Sequence, residues 1–304
     1  MGFAIRKLDA ATGPGPDEAI KVHSRLAGPI DSLGFLRRSL LFAELSELSY
    51  LSRASAGRLA HQIGFPEIRF YDKDGAQAYL LANDDDAVIV CRGTEPDDWN
   101  DVRASLTLEL VVSETVGRVH LGFKKEVDDL WPRLEQALVS NTRTLWFAGH
   151  SLGGAMAAIC AGRCALSHIP SNPRALFTYG SPRIGTRRYV NYVALEAYRW
   201  VNNNDIVSRV PPPWLGYRHK GREVYLNAYG QLRRLTAWQR AKDRWRGFWH
   251  GLKLREFDPF TDHSIRRYID YIHRAVVDDE AVVQWTTPPP QPHFERFCPP
   301  RVAA

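Results

Sequence analysis

Hydrophobic positions change their period several times along the chain. In residues 33–62, Leu36, Leu40, Leu41, Ala43, Leu45 and Leu48 recur at the spacing of one helix face. The period then shortens. IRFYD (68–72), QAYLL (77–81) and AVIVCR (87–92) read as short strands separated by DKDG and NDDD turns. HLGFKKEVDDLWPRLEQALV (120–139) starts as a turn and continues as an amphipathic helix. TLWFA (144–148) reads as a wholly apolar strand, residues 152–166 as a helix of small residues, and ALFTYG (175–180) as a second buried strand. Strand-like RWVNN and EVYLN follow. Strands that stay apolar without alternation, interleaved with helices, predict an α/β fold with a mostly parallel sheet covered on both faces. Residues 1–28 are polar, contain GPGP and read as an extension. Residues 286–304 form a proline-rich tail that continues neither sheet nor helix. Residues 29–285 read as a single domain.

Composition narrows the class. In 304 residues, 44% are apolar and 24% charged, which excludes a wholly disordered chain, a collagen and a coiled coil. No run of about 18 consecutive apolar residues occurs, so no transmembrane helix is expected. Four cysteines do not make a disulfide framework. Cys91, Cys160 and Cys164 are expected as buried free thiols and Cys298 as an exposed one. The first residues lack the apolar stretch of a secretory signal, so the cytoplasm is the default expectation and secretion by another route stays open. The net charge of +6 is concentrated. Segment 231–255 holds Arg233, Arg234, Arg240, Lys242, Arg244, Arg246, Lys253 and Arg255 against one acid, Asp243, a local charge of +7. A nucleic-acid-binding protein spreads such charge through its fold, so no nucleic-acid partner is expected.

The most informative segment is TLWFAGHSLGGAMAAICAG. Gly149, His150, Ser151, Leu152 and Gly153 form G-x-S-x-G between a strand and a small-residue helix. A sharp strand-to-helix turn crowds the positions two before and two after the serine, and both are glycine. Such a turn strains the serine, projects its Oγ into open space and sets a helix N-terminus behind it, where negative charge is favoured. The competing account is a glycine-rich helix start with a capping serine. A serine nucleophile needs a base, and the base an orienting carboxylate, in the chain order Ser, Asp or Glu, His. Asp205 lies in a polar loop after RWVNN, where a turn-forming role competes. Of the five histidines that follow it, His219, His250, His263, His273 and His293, only His263 lies in a loop just before an amphipathic helix. Asp262 and Ser264 capping that helix is the alternative account.

Taken together, CRGTEPDDWNDV (91–102), VHLGF (119–123), FAGHSLGGA (147–155), FTYGSPRIG (177–185), NNNDIVSRVPP (202–212), HKGREVY (219–225) and TDHSIRRY (261–268) resemble the class 3 (fungal-type) lipase family of α/β hydrolases. The resemblance covers roughly residues 65–275. It implies an α/β-hydrolase fold: a mostly parallel central sheet with an antiparallel component, flanked by helices, with a short lid near 95–106. It implies Ser151 as nucleophile, Asp205 as orienting acid and His263 as general base. It also implies Thr94 and the backbone N–H of Leu152 as oxyanion donors. The N-terminal helices and the long insertion 226–258 depart from the compact family pattern.

In the lid, Pro96 suits a first helical turn, Trp99 is positioned to cover the site, and Asp98 is one of four acids. A mobile cover opened by lipid and a solvated surface helix with one packed tryptophan are both open readings. In 231–255, Leu232, Leu235, Trp238, Ala241, Trp245 and Leu252 recur at helical spacing with basic residues between them. This suits contact with an anionic membrane or a lipid droplet, or a helix packed on the core with a basic outer face. The expected activity is serine carboxylester hydrolysis of lipid-type esters such as acylglycerols, with no metal or organic cofactor. Alternatives are a phospholipase, a feruloyl-type esterase, or a non-catalytic lipid-binding or scaffold protein on a hydrolase fold.

Overall fold

A computed structural model describes residues 20–93, 108–114, 116–192, 194–233 and 261–278, together with Thr236, Trp238, Gln239 and Lys242. Thr94, the lid residues Pro96, Asp98 and Trp99, His250, His293, Cys298, most of the basic segment and the proline-rich tail lie outside the described residues.

The apolar runs build one seven-stranded sheet. Its strands are β1 (Glu67–Lys73), β2 (Ala76–Ala82), β3 (Asp86–Cys91), β6 (Thr144–His150), β7 (Pro173–Tyr179), β9 (Ala197–Asn202) and β11 (Arg222–Leu226), in that spatial order. The first three pair antiparallel as a meander, and β3, β6, β7, β9 and β11 pair parallel. The expected fold class is therefore present, with its antiparallel component at one edge. Alternation along the central strands feeds two cores. Ala87, Ile89, Cys91, Leu145 and Phe147 pack on one face with helices α3 (Leu121–Val139) and α4 (Leu152–Leu166). Val88, Val90, Trp146 and Ala148 pack on the other with α1 (Phe35–Leu48) and α6 (Ile265–Val277). Both faces are buried, which is why these strands read as continuous apolar runs. A shorter helix α2 (Arg53–Ile63) leads into β1, and α5 (Arg187–Tyr192) lies between β7 and β9.

A second, four-stranded antiparallel sheet lies outside what periodicity predicts: β4 (Leu110–Val112), β5 (Arg118–His120), β8 (Gly185–Thr186) and β10 (Tyr217–Arg218), ordered β10-β8-β5-β4. His120, read as part of a turn, ends β5 and caps α3. Its Nδ1 accepts the Gly122 and Phe123 N–H groups at 3.1 and 3.4 Å. Cys91, Cys160 and Cys164 are buried free thiols, as expected.

Residues 20–28, within the stretch read as an extension, are tied to the domain. The buried Glu44 carboxylate accepts the His23 and Ser24 N–H groups at 2.6 and 3.0 Å. Leu26 N–H donates to Ile63 O at 2.7 Å, and the His23 ring stacks on His273 with centroids 3.7 Å apart. Glu47 accepts from Arg266 at 2.9 Å, joining α1 to α6. These bonds matter to the site because α6 begins two residues after His263.

The packed-helix reading of the basic segment does not hold at Trp238. Leu232 bridges back to Leu226 and packs against the core. Trp238, expected on the buried face, is 74% exposed, with the Lys242 Nζ 5.7 Å from its ring centre.

Candidate active site

The strand β6 runs to His150, two residues beyond the apolar run, and α4 begins at Leu152. Ser151 is the single residue between them, at φ 57° and ψ −132°. Asp74 is the other non-glycine residue described with positive φ, and it belongs to a hairpin turn. Such a conformation costs on the order of 1–3 kcal/mol and persists only where the surroundings dictate it. Here the chain on both sides dictates it. A Cβ at Gly149 would lie 2.4 Å from Gly153 O, and one at Gly153 would lie 2.2 Å from Cys91 O. The Ser151 N–H donates to Tyr179 O at 2.9 Å, and Ser151 O accepts Gly154 N–H at 3.0 Å, fixing both peptide planes. Ser151 occupies the N-cap position of α4, but its side chain makes no capping bond to the helix, so the capping-serine account does not apply.

Three separated segments meet at this turn. His263 Nε2 lies 2.8 Å from Ser151 Oγ, and His263 Nδ1 lies 3.0 Å from both carboxylate oxygens of Asp205. A carboxylate can only accept, so Nδ1 carries the ring proton and Nε2 offers its lone pair to the serine hydroxyl. Asp205 is wholly buried, and a buried charge is tolerable only if richly hydrogen-bonded. Its Oδ1 accepts the Val207 and Ser208 N–H groups at 2.9 and 3.4 Å. Its Oδ2 accepts the Tyr268 hydroxyl at 2.6 Å. Burial, together with the adjacent Asp205 charge, holds the Tyr268 phenol well above its ordinary range, so it stays a donor. That oxygen in turn accepts the Asn202 N–H at 3.0 Å, linking α6 to the end of β9.

The turn that carries His263 is fixed by its backbone. Thr261–His263 forms one short 3-10 turn before α6. Asn202 Nδ2 donates to Asp262 O at 2.9 Å, and the Asp262 carboxylate pairs with Arg267 at 3.0 Å. Ser264 sits at the N-cap of α6 without a side-chain cap bond, so the capping account of this cluster does not apply. Leu152 supplies the first amide of α4, a position with no partner within the helix, and the helix dipole adds positive potential there.

Among the other histidines, His219 lies beside the backbone of Ser208 and Pro182 and near Arg199 and Arg183. Burial first, and those cations next, hold it well below its ordinary range. His273 faces His23 instead. Three participants lay outside the sequence reading. Gly180 has φ 57°, and a Cβ there would lie 2.5 Å from Asp205 Oδ2 and 2.8 Å from His263 Nδ1, so the acid–base pair passes directly over its backbone. Tyr268 carried only the signal of a helical core position. The x of G-x-S-x-G, His150, is buried, bonded to the Tyr50 hydroxyl and to the His263 carbonyl.

This arrangement draws the proton of a strained hydroxyl toward a histidine whose other nitrogen faces a buried carboxylate. It can deliver a serine alkoxide to an electrophilic carbonyl. Comparison with known proteins points the same way. Residues 88–214 match the family model described as lipase (class 3). The chain is 33% identical over 117 residues to the secreted mono- and diacylglycerol lipase 1 of Fusarium solani, covering 36% of this chain and 34% of that protein. It is 28% identical over 191 residues to the toxin TseL of Vibrio cholerae, covering 48% and 30%. The chain thus spans about a third of the length of these curated relatives. Among solved structures, it is similar to a triacylglycerol lipase whose catalytic centre is formed by a serine protease triad. That likeness has a TM-score of 0.53 and 25% identity, covering 62% of this chain and 78% of that one.

The Tyr268 bond can be tested without a substrate. Tyr268→Phe keeps the ring but leaves Asp205 buried with one donor fewer. Stability is expected to fall by about 1–3 kcal/mol, the usual cost of an unsatisfied buried polar group. Urea unfolding of parent and variant measures it, and superimposable curves would contradict the contribution assigned to this bond.

Proposed function

We propose that the chain is a member of the class 3 lipase family, whose model matches residues 88–214, and that it is a serine carboxylester hydrolase cleaving lipid-type esters such as acylglycerols through an acyl-enzyme on Ser151. The observation that carries this reading is the bonded series Ser151 Oγ, His263, Asp205, closed at 2.8 and 3.0 Å around a serine held at positive φ.

His263 Nε2 takes the hydroxyl proton as Ser151 Oγ attacks the ester carbonyl. The Oγ–C bond forms as the carbonyl π pair moves onto oxygen. Asp205 stabilises the resulting imidazolium and holds its tautomer. The Leu152 N–H is one donor for the oxyanion. Thr94 is the second candidate, following Gly93, where an added Cβ would lie 3.3 Å from the Ser151 Cβ. The tetrahedral intermediate collapses as the imidazolium gives its proton to the departing alcohol. Water then repeats the sequence: His263 deprotonates it, it attacks the acyl carbonyl, and Ser151 leaves with the proton. Each oxyanion donor is worth on the order of 3–4 kcal/mol in related chemistry.

Ser151→Ala should lose about 10³-fold or more in kcat while unfolding as the parent does, because the hydroxyl supplies chemistry and not packing. Turnover of p-nitrophenyl esters of increasing acyl length, measured for both proteins, tests this. A rise toward long chains supports the lipid-ester reading, and activity confined to aromatic acyl groups favours a feruloyl-type esterase. Absence of turnover on esters, including phospholipids, favours the non-catalytic lipid-binding alternative.

We further propose that the basic segment 231–255 makes peripheral contact with anionic lipid. The exposed Trp238, flanked by Lys242, supports this. Replacing Arg233, Arg234, Arg240 and Arg244 with Gln should strongly weaken co-sedimentation with anionic vesicles in low salt, since each basic residue near such a surface contributes about 1 kcal/mol. Hydrolysis of a small soluble ester should stay near that of the parent. Undiminished vesicle binding would contradict the contact.

A further inference from the structure

Resting on that catalytic reading, we propose that His150 is a positioning residue: its imidazole clamps the backbone of the general base and is itself locked in one tautomer by Tyr50.

His150 closes β6 and lies directly before the nucleophile, with its side chain buried. Its two nitrogens have different partners. Nε2 is 2.7 Å from His263 O, and Nδ1 is 2.9 Å from the Tyr50 hydroxyl. The carbonyl only accepts, so Nε2 carries the proton and donates. In the neutral ring Nδ1 is then the acceptor, and Tyr50 O–H donates to it. The neutral form is the one the site favours, since burial, and secondarily the nearby His263 ring, hold His150 well below its ordinary range. The two histidine rings lie 4.5 Å apart, close enough that the clamp also limits where the base can tilt.

The clamp acts on the short turn that carries the base. His263 belongs to a three-residue turn, and its side chain must meet a serine on another segment within hydrogen-bond reach. Two side chains from strand ends grip successive carbonyls of that turn: Asn202, closing β9, holds Asp262 O, and His150, closing β6, holds His263 O. The nucleophile and the base are thus referenced to the same strand end, Ser151 through the chain and His263 through the His150 ring. Tyr50 extends the device toward the oxyanion turn. A Cβ at Gly93 would lie 2.3 Å from the Tyr50 hydroxyl and 2.7 Å from His150 O, so this ring packs against the last described residue before Thr94. Arg92 lies 5.8 Å from the Tyr50 ring centre and also donates to Gln77 at 3.0 Å, joining this ring to the sheet edge.

The consequence concerns rate and not substrate affinity. A misplacement of about 1 Å at a catalytic group is worth on the order of 10²-fold in rate. Three substitutions separate the two nitrogens. His150→Phe removes both bonds. His150→Gln places an amide N–H near the Nε2 position and keeps the donor to His263 O. His150→Asn reaches only the Nδ1 side and keeps a partner for Tyr50, but withdraws the donor. The readout is the second-order rate of serine phosphonylation by a p-nitrophenyl alkylphosphonate, taken beside kcat and KM on a soluble ester and thermal unfolding of each protein.

The expected result is that His150→Phe and His150→Asn are phosphonylated about 10²-fold more slowly than the parent, with kcat falling in step and KM little changed. His150→Gln should stay within about tenfold of the parent. If His150→Phe fails to fold, the comparison of Gln with Asn decides alone. Equal rates for Gln and Asn, or a Phe variant as fast as the parent, would overturn the positioning role while leaving the hydrolase reading intact. A parent protein that does not react with the phosphonate overturns the hydrolase reading, and this inference with it.

Discussion

Steric exclusion at the turn between β6 and α4 is the constraint on which the rest of the site depends. Neither Gly149 nor Gly153 has room for a Cβ, because backbone atoms occupy the space 2.4 and 2.2 Å away. The strand and helix can approach so closely only if Ser151 takes a positive φ, and that conformation aims its Oγ away from both. The strain at one residue is offset by packing over the whole sheet, where Trp146, Phe147 and Ala148 on β6 and the small residues of α4 are buried. A serine in an ordinary loop would relax. This one has nowhere to go.

Electrostatics solves the second problem, a negative charge sealed inside the protein. Asp205 is wholly buried with its charge pointed at a histidine, and it accepts two backbone N–H groups, a tyrosine hydroxyl and the His263 ring. The donors come from three separate segments and reach both carboxylate oxygens, so the carboxylate is fixed in orientation as well as stabilised. Gly180 is the steric counterpart: its bare backbone gives the acid–base pair room to lie against β7. The N-terminal strap contributes at longer range. Glu44 and Glu47 on α1 tie residues 23–24 and Arg266 to one helix, and Arg266 lies on the first turn of α6, three residues past His263.

Much of this was legible in the chain because the strong signals are local. A strand buried on both faces appears as an apolar run, and a helix of small residues directly after G-x-S-x-G fits little besides a nucleophile turn. The elbow, the acid loop at Asp205 and the loop-borne His263 therefore stood out from residue order and resemblance. What escaped is set by contacts distant in sequence. Strands β8 and β10 are two residues long, and their pairing arises from tertiary placement and not from alternation. His120 serves as a helix cap, a role that no propensity assigns to it. Tyr268 looks like any apolar position of an amphipathic helix until its hydroxyl is found at Asp205. Trp238 failed in the opposite sense, since helical spacing alone does not say which face the core will cover.

The central claim of the proposed function is that Ser151, and no other side chain, attacks the substrate. The most direct measurement is the stoichiometry and location of its covalent adduct. The folded protein is treated with excess p-nitrophenyl alkylphosphonate, released p-nitrophenolate is counted, and the modified peptide is located by mass spectrometry. The account predicts one p-nitrophenolate per chain and a single phosphonyl group on Ser151. An adduct on any other residue, or none on a protein that hydrolyses esters, would contradict it.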